Sequence, residues 1–490
     1  MNNLSKSKYT LGRICEKKLW LSTFKPELAK ESDNRALENG NLVGDLARHL
    51  FGDDYILIDY NKGLSNMIKD TKIALTFKPN IICEASFTYN GNFCSVDILK
   101  NTIHGVELYE VKSTLEKKDI YIDDILYQTW VLKQCGLDVK KSFLIHINKN
   151  YVKNGEFNIN EFFEIEDVTD ELRLDEVEEL SNEYHKIINR KIEPNIDLNL
   201  NCRINSENCP FFDYCKRNLP KPNVFDVSSI QFRKKLSLYK NGLVSFYDLL
   251  KDNSINEKAI EQIQFELENL KPKINIDSIK TFITKVSYPL YFLDFESYQE
   301  IIPKFDGTSP YQQICFQYSL DYYLEDGGKL YHKEFLHDKY DENPMLNLCE
   351  NLVKDIPLNS CIIVYNESFE KSRLLEMANM FPQYREHLLN IRDNIIDLMV
   401  IFRNHDYYVK NMFGSYSIKY VLPALFPNDE TLDYKKLEQV HKGNEATEAY
   451  LSLSKLSKEE ETKLRKNMLK YCALDTYAMV KIFNKLKELV

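Results

Sequence analysis

Apolar and polar positions along this chain follow two periods, and the switch between them predicts where helices and strands lie. Leu42, Val43, Leu46, Ala47 and Leu50 recur at helical spacing. Strand-like runs follow at 80–89, 93–100 and 105–112, then a helix over 120–134 stopped by Gly136, then a strand over 141–147. Residues 227–270 read as short helices around Gly242. Further strands are predicted at 288–296, 312–323 and 330–336, the last two joined in a hairpin by Asp326, Gly327 and Gly328. A strand at 361–365 and several helices complete the pattern. Both ends of the chain are therefore expected to be α/β.

Two breaks interrupt these patterns. Pro220 and Pro222 follow a cysteine cluster, and Pro272 separates a helical stretch from a new group of strands. They divide the chain into an N-terminal domain, 1–220, a helical connector, 221–283, and a C-terminal domain, 284–490. The connector resembles a helix-hairpin-helix unit. A length of 490 residues allows several domains, each with its own core. Apolar content of 43% and charged content of 28% are those of an ordinary globular protein. No apolar run reaches membrane-spanning length and the first residues lack the stretch of a signal peptide, so a cytoplasmic location without a membrane partner is expected. A net charge of −10 lacks the basic signature of a nucleic-acid-binding protein, yet leaves room for a local basic groove.

Chemistry enters with the placement of acids. Asp294 and Glu296 lie two residues apart in an otherwise apolar strand, so both side chains fall on one face. Two uncompensated carboxylates there would be very costly, and divalent cations resolve the conflict. After the strand at 361–365, Asn366 precedes a helix bearing Phe369 and Glu370. On a late helix Tyr471 and Asp475 are four apart and share a face, so Asp475 can complete a metal site while Tyr471 positions an attacking water. D-x-E, N-x-x-F-acid and Y-x-x-x-D, in this order, resemble the three motifs of the DEDD (DnaQ-like) exonucleases, in their tyrosine-bearing subclass. The resemblance implies an RNase H-like fold, Mg²⁺ or Mn²⁺ held by Asp294, Glu296, Glu370 and Asp475, and removal of nucleotides from a 3′ end. Glu370 departs from the aspartate usual in that family, so its longer arm must place the carboxylate differently. Asp397 is either an outer member of the site or a cap. Residues 407–420 interleave tyrosines with Lys410 and Lys419, a pattern that serves either to stack bases and hold phosphates or to flank a core of Ile418, Val421 and Leu422.

A second constellation lies upstream. Asp97 is near the end of one strand, and Glu110 and Lys112 share a face of the next. Two carboxylates can hold a divalent ion beside a scissile phosphate while the lysine neutralises developing charge. These residues look like the PD-(D/E)xK signature in its RecB-like branch. That resemblance implies a restriction-endonuclease-like fold and adds Gln128 on the following helix, although Leu132 stands where a tyrosine often follows. It also implies a metal-ligating role for His49, which follows Gly40 and Gly44. Glu84 either joins the acids or is a structural strand residue.

Eleven cysteines are many for a cytoplasmic chain, where disulfides are rare. Cys83, Cys94, Cys135, Cys315, Cys349, Cys361 and Cys472 stand in apolar or mixed surroundings and read as small buried hydrophobes. Cys202, Cys209 and Cys215 form a cluster that needs a fourth ligand, for which Cys15 is the candidate. One early and three late cysteines resemble the iron–sulfur RecB-like nucleases, AddB-like and CRISPR-associated, in which a [4Fe–4S] cluster staples the two ends of the domain. The gap between Cys202 and Cys209 is wider than is common there. A structural Zn²⁺ site is the alternative, and free buried thiols a third reading.

The resulting expectation is an α/β protein with a PD-(D/E)xK domain and an RNase H-like DEDD domain joined by a helical connector. As a whole it resembles an uncharacterised bacterial family that pairs these two domains. The implied activity is metal-dependent hydrolysis of nucleic acid, DNA more than RNA, in repair, processing or defence. Without a phosphate-binding G-x-x-x-x-G-K-[ST] loop, any motor would be a partner, such as a helicase. The rival expectation is a nucleic-acid-binding scaffold with one or both sites inactive.

Overall fold

The computed structural model describes residues 3–30, 35–204 and 206–490. The chain divides into two compact units, Met1–Leu219 with Ile301–Pro310, and Pro220–Glu300 with Tyr311–Val490. Both are mixed α/β. Among the described residues no helix is long and apolar enough to cross a membrane.

The first unit begins with β1 (Leu4–Ser5), α1 (Lys6–Ile14), α2 (Glu16–Phe24), α3 (Arg35–Ala47), β2 (Ile56–Leu57) and α4 (Leu64–Phe77). It continues through β3 (Ile81–Tyr89), β4 (Asn92–Thr102), β5 (Gly105–Lys112), α5 (Asp119–Gln134), β6 (Val139–Ile147), β7 (Phe163–Asp167) and α6 (Val177–Asn189). The sheet order is β2-β3-β4-β5-β6-β7, with β1 parallel to the start of β4. β3, β4 and β5 form an antiparallel meander. β6 lies parallel to β5, a pairing that requires a crossover, and α5 supplies it. α5 buries Ile125, Leu126, Tyr127, Trp130, Val131 and Leu132, and with them the polar Asp124, Gln128 and Thr129. Buried polar groups on a core helix must find partners: Gln128 donates to Glu110 of β5, Asp124 accepts from Lys112 and Thr10, and Thr129 shares a hydrogen bond with Ser142 of β6. The Tyr127 hydroxyl ties β1 down, donating to the Leu4 carbonyl at 2.6 Å and accepting from the Phe93 amide at 3.2 Å.

The second unit starts with α7 (Phe232–Lys240), α8 (Glu257–Leu267) and α9 (Ile276–Ile283). The turn after α7 passes through Gly242 at φ +80°, a conformation that glycine adopts without strain. Val224, Val227, Leu238, Phe246, Leu249 and Ile263 give this stretch a small core of its own. The sheet follows: β8 (Leu290–Gln299), β9 (Gln313–Tyr323), β10 (Leu330–Leu336), β11 (Cys361–Val364) and β12 (Ile395–Asp397), in the order β10-β9-β8-β11-β12. The first three are antiparallel, while β8, β11 and β12 run parallel. Around them lie α10 (Pro344–Asp355), α11 (Glu367–Met380), α12 (Arg385–Asp393), α13 (Ile418–Leu425), α14 (Gly443–Ser452) and the long α15 (Lys458–Lys487). β8 is apolar from Leu290 to Leu293 and again at Phe295 and Tyr298, because both of its faces are covered. Tyr291, Leu293 and Phe295 join one core, and Leu290 and Phe292 the other. Asp294 and Glu296 continue the second of these faces, so apolar packing on their own strand leads directly to them.

Tyr127→Phe leaves the Leu4 carbonyl without its buried donor. It should lower the stability of the first unit by about 1–3 kcal/mol, read as an earlier thermal or urea transition with unchanged secondary structure at low temperature.

Candidate functional site

In the second unit, Asp294 and Glu296 on β8 meet α15. The ligand atoms of Asp294, Glu296 and Cys472 all lie within 4.8 Å of one another. The Cys472 thiol donates to Asp294 Oδ2 at 3.6 Å. Asp475, one turn further along α15, accepts a 2.6 Å hydrogen bond from the Tyr434 hydroxyl and is also hydrogen-bonded by Tyr471. Glu370, in the first turn of α11, is 3% exposed, and its Oε2 has no hydrogen-bond partner. Burial pushes the Asp294 carboxyl well above the usual carboxylate range, and the charges of Asp475, Glu296 and Glu370 push it further. Glu296 is raised by burial and Asp475, with Lys419 pulling the other way. Burial lifts Glu370 to about 8. The four acids thus share one electrostatic field. Asp397 behaves as a cap: its Oδ1 accepts from the amides of Asn366 and Met399, each at 3.0 Å.

A cavity of about 610 Å³ opens beside these acids. Tyr434, which bonds Asp475, and Lys419 line it together with Phe426, Lys435, His441 and Lys442. Asp429, Glu430 and Asp433 line it too, so aromatic rings, cations and acids all border the cavity. In the stretch 407–420, Tyr407 and Tyr408 are core residues, whereas Tyr416 and Tyr420 are exposed. Lys419 is the member of that stretch brought to the acids. Cys472, read from sequence as an apolar filler, belongs to the acid group. Its position three residues before Asp475 on one helix was the available signal.

The N-terminal site is organised differently. Glu110 is 1% exposed and sits among donors from Lys6, Lys112 and Gln128. Lys112 also reaches Asp124 at 2.5 Å, and Thr10 donates to the other Asp124 oxygen at 2.8 Å. Asp97 Oδ2 accepts from the Val111 amide at 2.7 Å. Burial raises the Asp97 carboxyl and Glu110 adds to that effect. Burial acts likewise on Glu110, but Lys112 and Lys6 outweigh it and hold that carboxyl below the usual range. Asp97, Glu110, Lys112, Lys6, Glu84 and Arg48 line a cavity of about 690 Å³. Glu84 accepts from Arg48 at 3.1 Å. His49 does not line the cavity. It lies on the short turn Arg48–Phe51, about half exposed, paired with Asp53. Lys6 and Asp124 were not singled out from sequence. Asp124 is four residues before Gln128 on α5, a legible spacing, whereas no local pattern links Lys6 to β5.

Cys15, between α1 and α2, lines one small pocket with Cys202, Cys209 and Cys215. Burial raises Cys215 to about 11, and the other three thiols add to the shift. Asn201 donates to the Ile14 carbonyl at 2.5 Å, tying the two segments together beside the thiols. Among the described residues no three of these thiols gather within 4.8 Å. Cys83, Cys94, Cys315, Cys349 and Cys361 are buried, and Cys135 partly so.

A model of the Domain of unknown function (DUF2779) matches residues 291–417. That span holds Asp294, Glu296, Glu370 and Asp397, but neither Tyr471 nor Asp475. The chain is 28% identical over 277 residues to the Uncharacterized protein MG366 of Mycoplasma genitalium, covering 53% of this chain and 41% of the relative. It is 29% identical over 231 residues to the homolog of that protein in Mycoplasma pneumoniae, covering 44% and 34% respectively. A third relative, Uncharacterized protein UU173 of Ureaplasma parvum, is 27% identical over 234 residues. The chain spans less than half the length of these curated relatives. No solved structure matches it significantly.

Carboxyls raised by burial bind protons more tightly in the folded than in the unfolded chain. The metal-free fold therefore loses stability as pH rises from about 4 through the raised values of Asp294, Glu296 and Glu370. Asp294→Asn should raise the melting temperature of metal-free protein at pH 8, leave it unchanged at pH 4, and weaken the stabilisation conferred by Mn²⁺. A lower melting temperature at pH 8 would mean that the acids are compensated within the protein.

Proposed function

We propose that this chain is a metal-dependent nuclease, with a DEDD-type 3′ exonuclease site in the second unit and a RecB-like PD-(D/E)xK site in the first. The observation that carries the reading is the shared field of Asp294, Glu296, Glu370 and Asp475, four acids from three separate segments, with Glu370 Oε2 buried and unpartnered. The strand order supports it: numbered within the unit, 3-2-1-4-5 with strands 1, 4 and 5 parallel is the RNase H-like arrangement. In the first unit, the antiparallel meander followed by a helical crossover to a parallel strand agrees with the restriction-endonuclease-like reading. Asp294 and Glu296 fit a divalent cation, with Asp475 and Glu370 completing its surroundings. Mg²⁺ or Mn²⁺, when bound, supplies charge neutralisation at the scissile phosphate and acidifies the attacking water.

The chain's own residues do the rest. Tyr434 fixes the Asp475 carboxylate, and the Cys472 thiol orients Asp294. The Tyr471 hydroxyl positions the attacking water. Lys419, within reach of Glu296 and Asp475 electrostatically, offsets phosphate charge. The cavity beside Tyr434 and Phe426 receives the terminal nucleotide. In the first unit Asp97, Glu110 and Lys112 are the cutting residues and Gln128 holds Glu110. The four converging cysteines hold a structural [4Fe–4S] cluster. Zn²⁺ held by the same four thiolates is the alternative. DNA is the preferred substrate and a helicase the class of partner expected, since no motor motif is carried here.

End-labelled single- and double-stranded DNA and RNA, with Mg²⁺ or Mn²⁺, test the assignment. Asp294→Ala should abolish 3′ shortening, at least about a hundredfold, while Lys112→Ala should remove a separate cutting pattern. If wild type cleaves none of these substrates, the nuclease reading fails and a binding scaffold takes its place. Anaerobically purified protein should carry iron and sulfide with visible absorbance, both lost in Cys215→Ser; stoichiometric zinc instead would overturn the cluster assignment.

A further inference from the structure

Glu110 is surrounded by donors on both oxygens. Its Oε1 accepts from Lys6 at 2.8 Å and from Lys112 at 2.8 Å. Its Oε2 accepts from Gln128 at 2.7 Å and from Lys6 at 3.0 Å. A carboxylate offers about four lone-pair sites, so this arrangement occupies all of them. Lys112 and Gln128 supply one contact each; Lys6 supplies the other two, and it comes from a segment more than a hundred residues away in sequence.

The fold holds Lys6 at this point firmly. β1 pairs with β4 immediately before it, and the Ser5 side chain caps α1 by accepting from the Lys8 amide. One turn on, Thr10 bonds both the Lys6 carbonyl and Asp124. The Lys6 ammonium lies in the field of Asp97 and Asp124 as well as Glu110, and it borders the cavity that the acids line.

We propose that Lys6 is the resident cation of the N-terminal acid site, occupying the Glu110 oxygens that a divalent ion would use, so that metal enters only by displacing its ammonium. The proposal rests on the reading of Asp97 and Glu110 as a metal site. It makes Lys6 a positioning residue that sets the metal affinity of that site. The cavity beside it gives the displaced side chain somewhere to go, and a phosphate bound there would give the ammonium a new partner.

The test uses the full chain with Asp294→Asn and Asp475→Asn, which silence the other site, and Mn²⁺ alone as the probe. Calorimetry and the electron paramagnetic resonance signal of free Mn²⁺ read its binding. Lys6→Gln should bind Mn²⁺ at least about tenfold more tightly than the Lys6 parent, because the ion no longer has to displace an ammonium from Glu110. Lys6→Arg should behave like the parent, and Asp97→Asn added to Lys6→Gln should abolish the gain. If Lys6→Gln melts early, Lys6→Met, which keeps the apolar stem, carries the same comparison. Equal or weaker binding in the uncharged variants, with measurable binding in the parent, overturns the role of Lys6 and leaves the metal-site reading standing. No Mn²⁺ bound by the parent or by either uncharged variant overturns both.

Discussion

Carboxylates carried into apolar sheets have to be met by positive charge, because a buried ion without a partner costs more than a folded domain can spare. Much of this structure is arranged around that constraint, and its two units answer it in different ways. In the first, the protein supplies the charge itself: Lys6 and Lys112 bracket Glu110, and Gln128 completes its hydrogen bonds. In the second, burial raises all four acids, Asp475, Glu296 and Glu370 raise Asp294 further, Asp475 raises Glu296, and Lys419 opposes the rise at Glu296 and Asp475. One site is internally neutralised and the other is left demanding a cation.

The difference follows from which elements deliver the side chains. In the second unit, the acids come from β8, the first turn of α11 and the middle of α15, and the neighbours they bring are mainly a thiol and tyrosine hydroxyls. Such groups orient a carboxylate without cancelling its charge. In the first unit, the first residue of α1 and the last of β5 are both lysines, and they converge on the same glutamate. Parallel neighbours joined by helical crossovers, α5 in one unit and α11 and α12 in the other, bring a helix face over the sheet where these groups meet.

The matched family segment ends at residue 417, before Lys419, Tyr434 and the three site residues of α15. The acids on β8 and α11 fall inside it, while the groups that fix and tune them fall outside. Part of the candidate site therefore lies within the matched segment, and the rest lies beyond it.

Local periodicity was enough to locate the principal strands, because a strand buried on both faces, such as β8, has to be apolar almost throughout, and two acids within it stand out at once. Short-range spacing likewise placed Glu110 with Lys112 and Tyr471 with Asp475, since two- and four-residue intervals set a common face whatever the rest of the fold does. Convergence across the chain is not a local property. That Cys472 joins Asp294 and that Lys6 reaches Glu110 were both decided by packing between distant segments. Residue spacing revealed most of the acids and thiols able to carry chemistry; which charges meet emerged from the fold alone, because electrostatic compensation depends on distance in space and residue spacing reports it only within one helix or strand.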